Sequence, residues 1–177
     1  MQRPILVVTV GLPGVGKTTR AKELEAELGA VRLTPDEWLR PLFGPRDNTL
    51  GRDTIEGRFV SLARRLLTLG QSVILDFGVW TRAERDSLHD LAHSCGATFR
   101  MEYLHLDSEE QWRRVEDRQT RGSSTTFVIT LVELDSYVAM FEPPDEAELG
   151  ASEPAAPPPE AGSWANWRAA RWPTSEA

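Results

Sequence analysis

The chain opens with a short β-branched apolar run, Ile5 to Val10, that stops at Gly11. A run without polar alternation fits a strand buried on both faces, and a helical pattern takes over after Gly16. The order is strand, glycine loop, helix. Leu24 and Leu28 give that helix an apolar face, Gly29 ends it, and Val31 to Leu33 predicts a second strand running into Thr34-Pro35-Asp36. A helix over about Asp53 to Leu69 precedes a third predicted strand, Ser72 to Phe77. A helix from Arg82 to Cys95, stopped by Gly96, precedes a fourth near Phe99 to Leu106. Two more helices, about Ser108 to Arg121 and Thr130 to Phe141, begin at plausible N-caps, and Glu133 is placed for a capping box with Thr130. Strands alternating with helices of this length predict βαβ units: an α/β fold with a mostly parallel sheet and helices on both faces. The pattern offers no clear fifth strand and no internal repeat.

A length of 177 residues fits a single domain. The predicted division is a folded body over 1–144 and a tail over 145–177. From Pro143 to Gly162 the chain is rich in Pro, Ala and Glu, a composition too poor in apolar surface to order itself, and is expected to be a linker. Trp164, Trp167 and Trp172 beyond it are unusual in such company, and either dock back on the body or meet a partner. The formal charge of -7 sits mostly in the tail: 20 acidic against 18 basic residues through Phe141, and 7 against 2 from Glu142 onward. The nearly neutral body neither proposes nor excludes a nucleic-acid substrate. No apolar run approaches the roughly 20 residues that span a bilayer, and no secretory signal pattern precedes the first strand. The expectation is a cytoplasmic protein with no membrane partner. Cys95, the single cysteine, leaves no disulfide partner within the chain and reads as a packed helix residue.

The loop carries the clearest chemistry. Gly11-Leu12-Pro13-Gly14-Val15-Gly16-Lys17-Thr18 satisfies G-x-x-x-x-G-K-[ST] in full. Its glycines let successive N–H groups turn toward phosphate oxygens, and the positive end of the following helix adds to that attraction. Lys17 is expected on the β- and γ-phosphates, Thr18 on Mg2+ and Thr19 on the α-phosphate, which makes ATP and Mg2+ the predicted cofactors. A guanine-reading N/T-K-x-D motif is impossible, because Lys17 and Lys22 are the only lysines. A small kinase is the reading that remains.

In GLPGVGKTT, RLTPDEW, VILDFGVWTRAER and WRRVEDRQTRG the sequence resembles the bacterial AAA_33-type P-loop kinases, grouped with the zeta-toxin, chloramphenicol phosphotransferase and polynucleotide 5′-hydroxyl kinase families. The resemblance runs from about Ile5 to Pro144. It implies a three-layer, nucleoside-kinase-like P-loop fold with a helical lid. It also implies a base facing the acceptor hydroxyl just after the second strand, where Asp36 stands; the same residue would serve as an N-cap. Asp76, at the end of the third strand, resembles a Walker-B-type carboxylate holding Mg2+ through water, with a buried structural carboxylate as the alternative. Arg113, Arg114, Arg118 and Arg121 lead into the segment Gly122 to Thr126, which looks mobile and whose counterparts close over the phosphates. Arg118 and Arg121 are the preferred lid residues and Arg114 the reserve, while Glu116 and Asp117 among them leave a salt-bridged surface open.

On the acceptor side, Arg82 and Arg85 would grip an anion unless they belong to a solvated helix face. Trp38 and Trp80 would stack a ring unless they pack. Phe141-Glu142-Pro143-Pro144 ends the post-lid helix, where related kinases bring a loop toward adenine. His89 and His93 stand four apart without a third ligand and read as one face of an amphipathic helix. The expected partner is a hydroxyl-bearing small molecule or a nucleic-acid 5′ end. A groove of Arg40, Arg46, Arg52 and Arg58 beside Arg82 would favour nucleic acid, and a closed tryptophan-lined pocket a small molecule. A nucleotide-dependent binding module, without a dedicated acceptor, is the alternative of a different class.

Overall fold

The computed structural model describes residues 3–44, 49–120, 129–150 and 153–176. Strands β1 (Ile5–Val10), β2 (Val31–Leu33), β3 (Val73–Leu75) and β4 (Thr98–Tyr103) form one parallel sheet in the order β2-β3-β1-β4. Around it lie α1 (Lys17–Leu28), α2 (Pro35–Phe43), α3 (Thr49–Thr68), α4 (Arg82–Ser94), α5 (Ser108–Thr120), α6 (Leu131–Met140), α7 (Glu146–Leu149) and α8 (Trp164–Arg171). The α/β class and the parallel sheet are those the hydrophobic pattern predicts, and no fifth strand is present among the described residues.

The composition of β1 explains the layering. Val7 faces Ala21 and Leu24 of α1, whereas Leu6, Val8 and Val10 face Phe59, Val60 and Leu67 of α3 and Leu88 and Leu91 of α4. All of these are buried, so the strand is covered on both faces and shows no alternation of apolar and solvent-facing residues. Strand β3 ends two residues earlier than predicted. Its neighbour β2 offers partners only opposite Val73 to Leu75, and after the Asp76 amide donates to the Leu33 carbonyl at 2.9 Å the chain leaves the ladder. Asp76 is thereby set just beyond the carboxyl edge of the sheet, where open α/β folds bind ligands.

The tail packs across α3 and α4. Trp172 has no exposed surface; its indole N–H donates to Glu56 at 3.2 Å and its ring meets Phe77 edge-on at 6.3 Å between centroids. Gly57 admits this strap: a Cβ there would lie 2.4 Å from the Thr174 hydroxyl, which donates to the Thr54 carbonyl at 2.6 Å. Arg168, buried, donates to the Ser87 carbonyl at 2.6 Å and pairs with Asp90 at 2.8 Å. The Pro-rich stretch expected as a linker carries α7, held from outside its own composition: Glu148 takes a two-pronged bond from Arg85 at 2.7 and 3.0 Å, and Asp145 pairs with Arg82.

Since Trp172 fills a site in the main core, Trp172→Ala is expected to cost about 3–5 kcal/mol of unfolding free energy. Urea titration checks this, and a loss below about 1 kcal/mol would show that the strap adds little to the core.

Candidate functional site

At the end of β1 the chain turns into a loop whose shape is fixed from behind. Val15 is buried, and α5 leans so closely on the loop that a Cβ at Gly14 (φ +88°) would lie 2.8 Å from Val115 and 3.1 Å from the Gln111 carbonyl. Gln111, itself buried, donates from its side chain to the Pro13 carbonyl at 2.8 Å. Gly16 adopts left-handed backbone (φ 99°, ψ 14°) as the N-cap of α1 and supplies no side-chain acceptor to it. The first-turn amides of α1 are therefore left for an external anion, and the helix dipole adds to their pull. The Lys17 ammonium curls back to donate to the Leu12 carbonyl at 2.9 Å.

Asp76, 4% exposed, faces this loop from the end of β3. It accepts hydrogen bonds from the hydroxyls of Thr34 at 3.0 Å and Thr9 at 3.4 Å, and Arg32 stands 3.6 Å away. Burial raises its pKa, while the bonds from Thr18 and Thr34 and the charges of Lys17 and Arg32 oppose that rise. Lys17 shows the complementary effect: burial holds its ammonium down to a pKa of about 8, Asp76 and Asp36 pull it up, and Arg118 and Arg52 push it further down. Lys17, Asp76, Asp36, Arg118 and Arg52 thus share one electrostatic environment. The Thr18 hydroxyl and the Asp76 carboxylate are hard oxygen donors, which suits Mg2+. No group of three or more His, Cys, Asp or Glu side chains able to hold a metal occurs among the described residues, so water and phosphate oxygens would complete the shell.

These residues line a cleft of about 850 Å3. Its lining includes Pro13, Gly14, Gly16, Lys17, Thr18 and Thr19 of the loop and the start of α1, and Asp36, Arg52, Asp53, Glu56, Trp80, Glu84 and Arg171 from elsewhere in the chain. Arg114 and Arg118 of α5 and Tyr137 of α6 face it from the side. Arg118 is half-buried, its Nε has no hydrogen-bond partner among the described residues, and desolvation lowers its pKa against the pull of Asp36. Arg114 is exposed and pairs with Glu110 at 2.7 Å. Asp36 is held by Arg52 at 2.5 Å.

Several residues singled out in the sequence lie elsewhere. Gly11, Leu12 and Val15 shape the loop without lining the cleft. Trp38 packs edge-on against Phe59 at 5.3 Å. Arg82 pairs with Asp145 and Asp86, and Arg85, 2% exposed, joins Glu148 and the carbonyls of Trp80 and Glu142; neither lines the cleft. Glu142 likewise lies outside the lining, its amide donating to the Trp80 carbonyl at 3.0 Å. His89 stacks on Phe99 at 4.6 Å. Arg46, Arg121 and Gly122 to Thr126 lie outside the described residues.

Conversely, Gln111, Glu56, Glu84 and Arg171 were not singled out, and Arg52 was weighed only as part of a basic groove. Thr81-x-x-Glu84 does carry a capping-box signal, and the box forms at the head of α4. Arg171 has no local signal at all.

The AAA_33 model, described as an AAA domain, matches residues 6–144. No curated protein matches the chain. Among solved structures, a kinase-like protein from Chloroflexus aurantiacus J-10-fl is similar at TM-score 0.67 and 19% identity, over 81% of this chain and 83% of that one. Chaetomium thermophilum Kti12, solved with ADP-AlF3, is similar at TM-score 0.62 and 22% identity, over 80% and 82%. The Mycobacterium tuberculosis APS kinase CysC, solved with AMPPNP and APS, is similar at TM-score 0.57 and 16% identity, over 82% and 86%. These likenesses establish a P-loop kinase-like fold.

The depressed pKa of Lys17 has a signed consequence for stability. From about 8 to its ordinary 10.5 the folded state has released a proton that the unfolded state still binds, so stability of the nucleotide-free protein rises with pH across that window. Below it the buried ammonium destabilises the fold by roughly 3 kcal/mol at most. Lys17→Met is therefore expected to stabilise the free protein at neutral pH and to abolish that rise. Urea titrations of both proteins between about pH 7 and 9.5 check it, and identical profiles would refute it.

Proposed function

The chain belongs to the AAA_33 family, and from that premise we propose that it is an ATP- and Mg2+-dependent kinase that transfers the γ-phosphate to a hydroxyl group. The observation that carries the reading is the meeting of Lys17, Asp76, Asp36 and Arg118 on one cleft with an uncapped helix N-terminus. Pro13, Gly14 and Gly16 to Thr19 hold the phosphates, with Lys17 at the β- and γ-phosphates and Gly11, Leu12 and Val15 shaping the loop. Thr18 and Asp76 would hold Mg2+, which when bound neutralises charge between those two phosphates. Arg118, whose guanidinium Nε has no partner among the described residues and sits in a partly dehydrated wall, balances the charge that spreads over the transferring group. Arg114 lines the same cleft, and Arg121, the other arginine proposed for the lid, lies outside the described residues.

In the transfer, the acceptor oxygen forms a bond to the γ-phosphorus as the bond to the β–γ bridging oxygen breaks and ADP departs. The hydroxyl proton passes to Asp36. The transition state is loose, so the first task of Asp36 is to aim the hydroxyl, and Arg52 fixes the carboxylate for that purpose. Support for a two-substrate cleft comes from the similar fold of APS kinase, solved with an ATP analogue and APS together. Trp38, Arg82 and Arg85 have no part in this reading, since none lines the cleft.

Asp36→Asn is expected to leave Mg-nucleotide affinity intact and to lower turnover by about 100-fold. Lys17→Met is expected to cost about 3 kcal/mol or more of transition-state stabilisation. Radiolabelled γ-phosphate transfer across nucleosides, oligonucleotides and hydroxylated metabolites, with calorimetry of nucleotide binding, tests both. A protein that binds Mg-ATP tightly yet labels no acceptor, and captures another protein only when loaded, would be a nucleotide-dependent binding module instead.

A further inference from the structure

We infer that the acceptor end of the cleft takes an uncharged polyhydroxylated ring, a sugar or a cyclitol, and not a nucleic-acid end; this rests on the phosphotransfer reading and specifies its acceptor. The first ground is charge. Lys17, Lys22, Arg114 and Arg118 line the cleft from α1 and α5, whereas Asp36, Asp53, Glu56 and Glu84 of the lining are gathered into one ion-paired cluster with Arg52 and Arg171. Those two cations are engaged by the carboxylates. Arg52 is joined to Asp36 at 2.5 Å and to Glu56 at 3.8 Å, and Arg171 to Glu84 at 2.7 Å, Asp53 at 2.9 Å and Glu56 at 3.8 Å. Among the described residues of that cluster carboxylates outnumber guanidinium groups, which disfavours a phosphodiester chain. Arg82 and Arg85, which would have welcomed one, are held outside by Asp145 and Glu148.

The second ground is hydrogen-bonding character. Asp36 and Asp53 keep part of their side-chain surface open and, as carboxylates, accept. A ligand rich in hydroxyl donors suits them, whereas a phosphate only accepts.

The third ground is shape. The Trp80 ring lies against Tyr137 at 5.0 Å between centroids, and Phe77 and Met140 line the same cleft. These surfaces suit the C–H face of a saturated ring, as small-molecule sites pair apolar walls with a few polar groups. The strap completes the wall: Arg171 comes from α8, and the following Trp172 donates to Glu56 at 3.2 Å, which fixes the direction of that carboxylate.

The test uses the full chain. Calorimetry with Mg-AMPPNP comes first, and absence of binding there removes the phosphotransfer reading and this inference with it. The loaded protein is then titrated with myo-inositol, a panel of hexoses and a 5′-hydroxyl oligonucleotide, and the same compounds are offered with radiolabelled ATP. The expected result is binding and labelling of at least one polyol and none of the oligonucleotide. Trp80→Ala, which removes the ring from the wall, and Asp53→Asn, which turns an acceptor-only carboxylate into an amide, should each raise the polyol KM about tenfold while kcat moves less than about twofold. Labelling of the oligonucleotide overturns the inference, as does a nucleotide-binding protein that binds no polyol, or a polyol KM unmoved by either variant.

Discussion

A lysine ammonium and an aspartate carboxylate are withdrawn from water at the carboxyl edge of the sheet, facing one another across a glycine loop. Neither is comfortable alone, since burial lowers the pKa of the one and raises that of the other. Each partly relieves its partner. Sheet topology imposes the arrangement: β1 and β3 are neighbours, both run toward the same edge, and Lys17 and Asp76 follow their respective ends. A bound triphosphate would supply negative charge beside Lys17. The free site is therefore electrostatically unfinished, as catalytic sites often are.

That unfinished pair is kept in place by packing rather than by further charge. The side chain of Gln111 and the proximity of Val115 press the loop from one side, and Thr9, Thr34 and Arg32 steady Asp76 from the other. On the opposite wall α3, α4 and the strap contribute Arg52, Glu84 and Arg171. The cleft thus joins a local motif at one end to contacts from widely separated parts of the chain at the other.

This division also decides what was legible in the sequence. The β1-loop-α1 unit could be read directly, because a buried strand, a glycine-bearing loop and an amphipathic helix are each specified by adjacent residues. Asp36 and Asp76 were placed correctly after their strands and line the cleft for the same reason. Arg82 and Arg85 were harder. They follow Asp76 by six and nine residues, but their carboxylate partners Asp145 and Glu148 each come 63 residues later, in a stretch whose composition suggested no structure. Trp172 was equally opaque, since its burial depends on Glu56 and on the missing side chain of Gly57, both far upstream. Composition measures what a segment can bury by itself, and this one is ordered by surfaces that others provide.

The absent side-chain acceptor at Gly16 leaves α1 a helix whose cap must arrive from solution. Ligand and fold then become a single thermodynamic system. Once free nucleotide exceeds its dissociation constant, every further tenfold rise in concentration adds about 1.4 kcal/mol to the resistance of the whole domain to unfolding. Melting temperature, on this view, reports the metabolic supply of the missing cap as much as it reports the sequence.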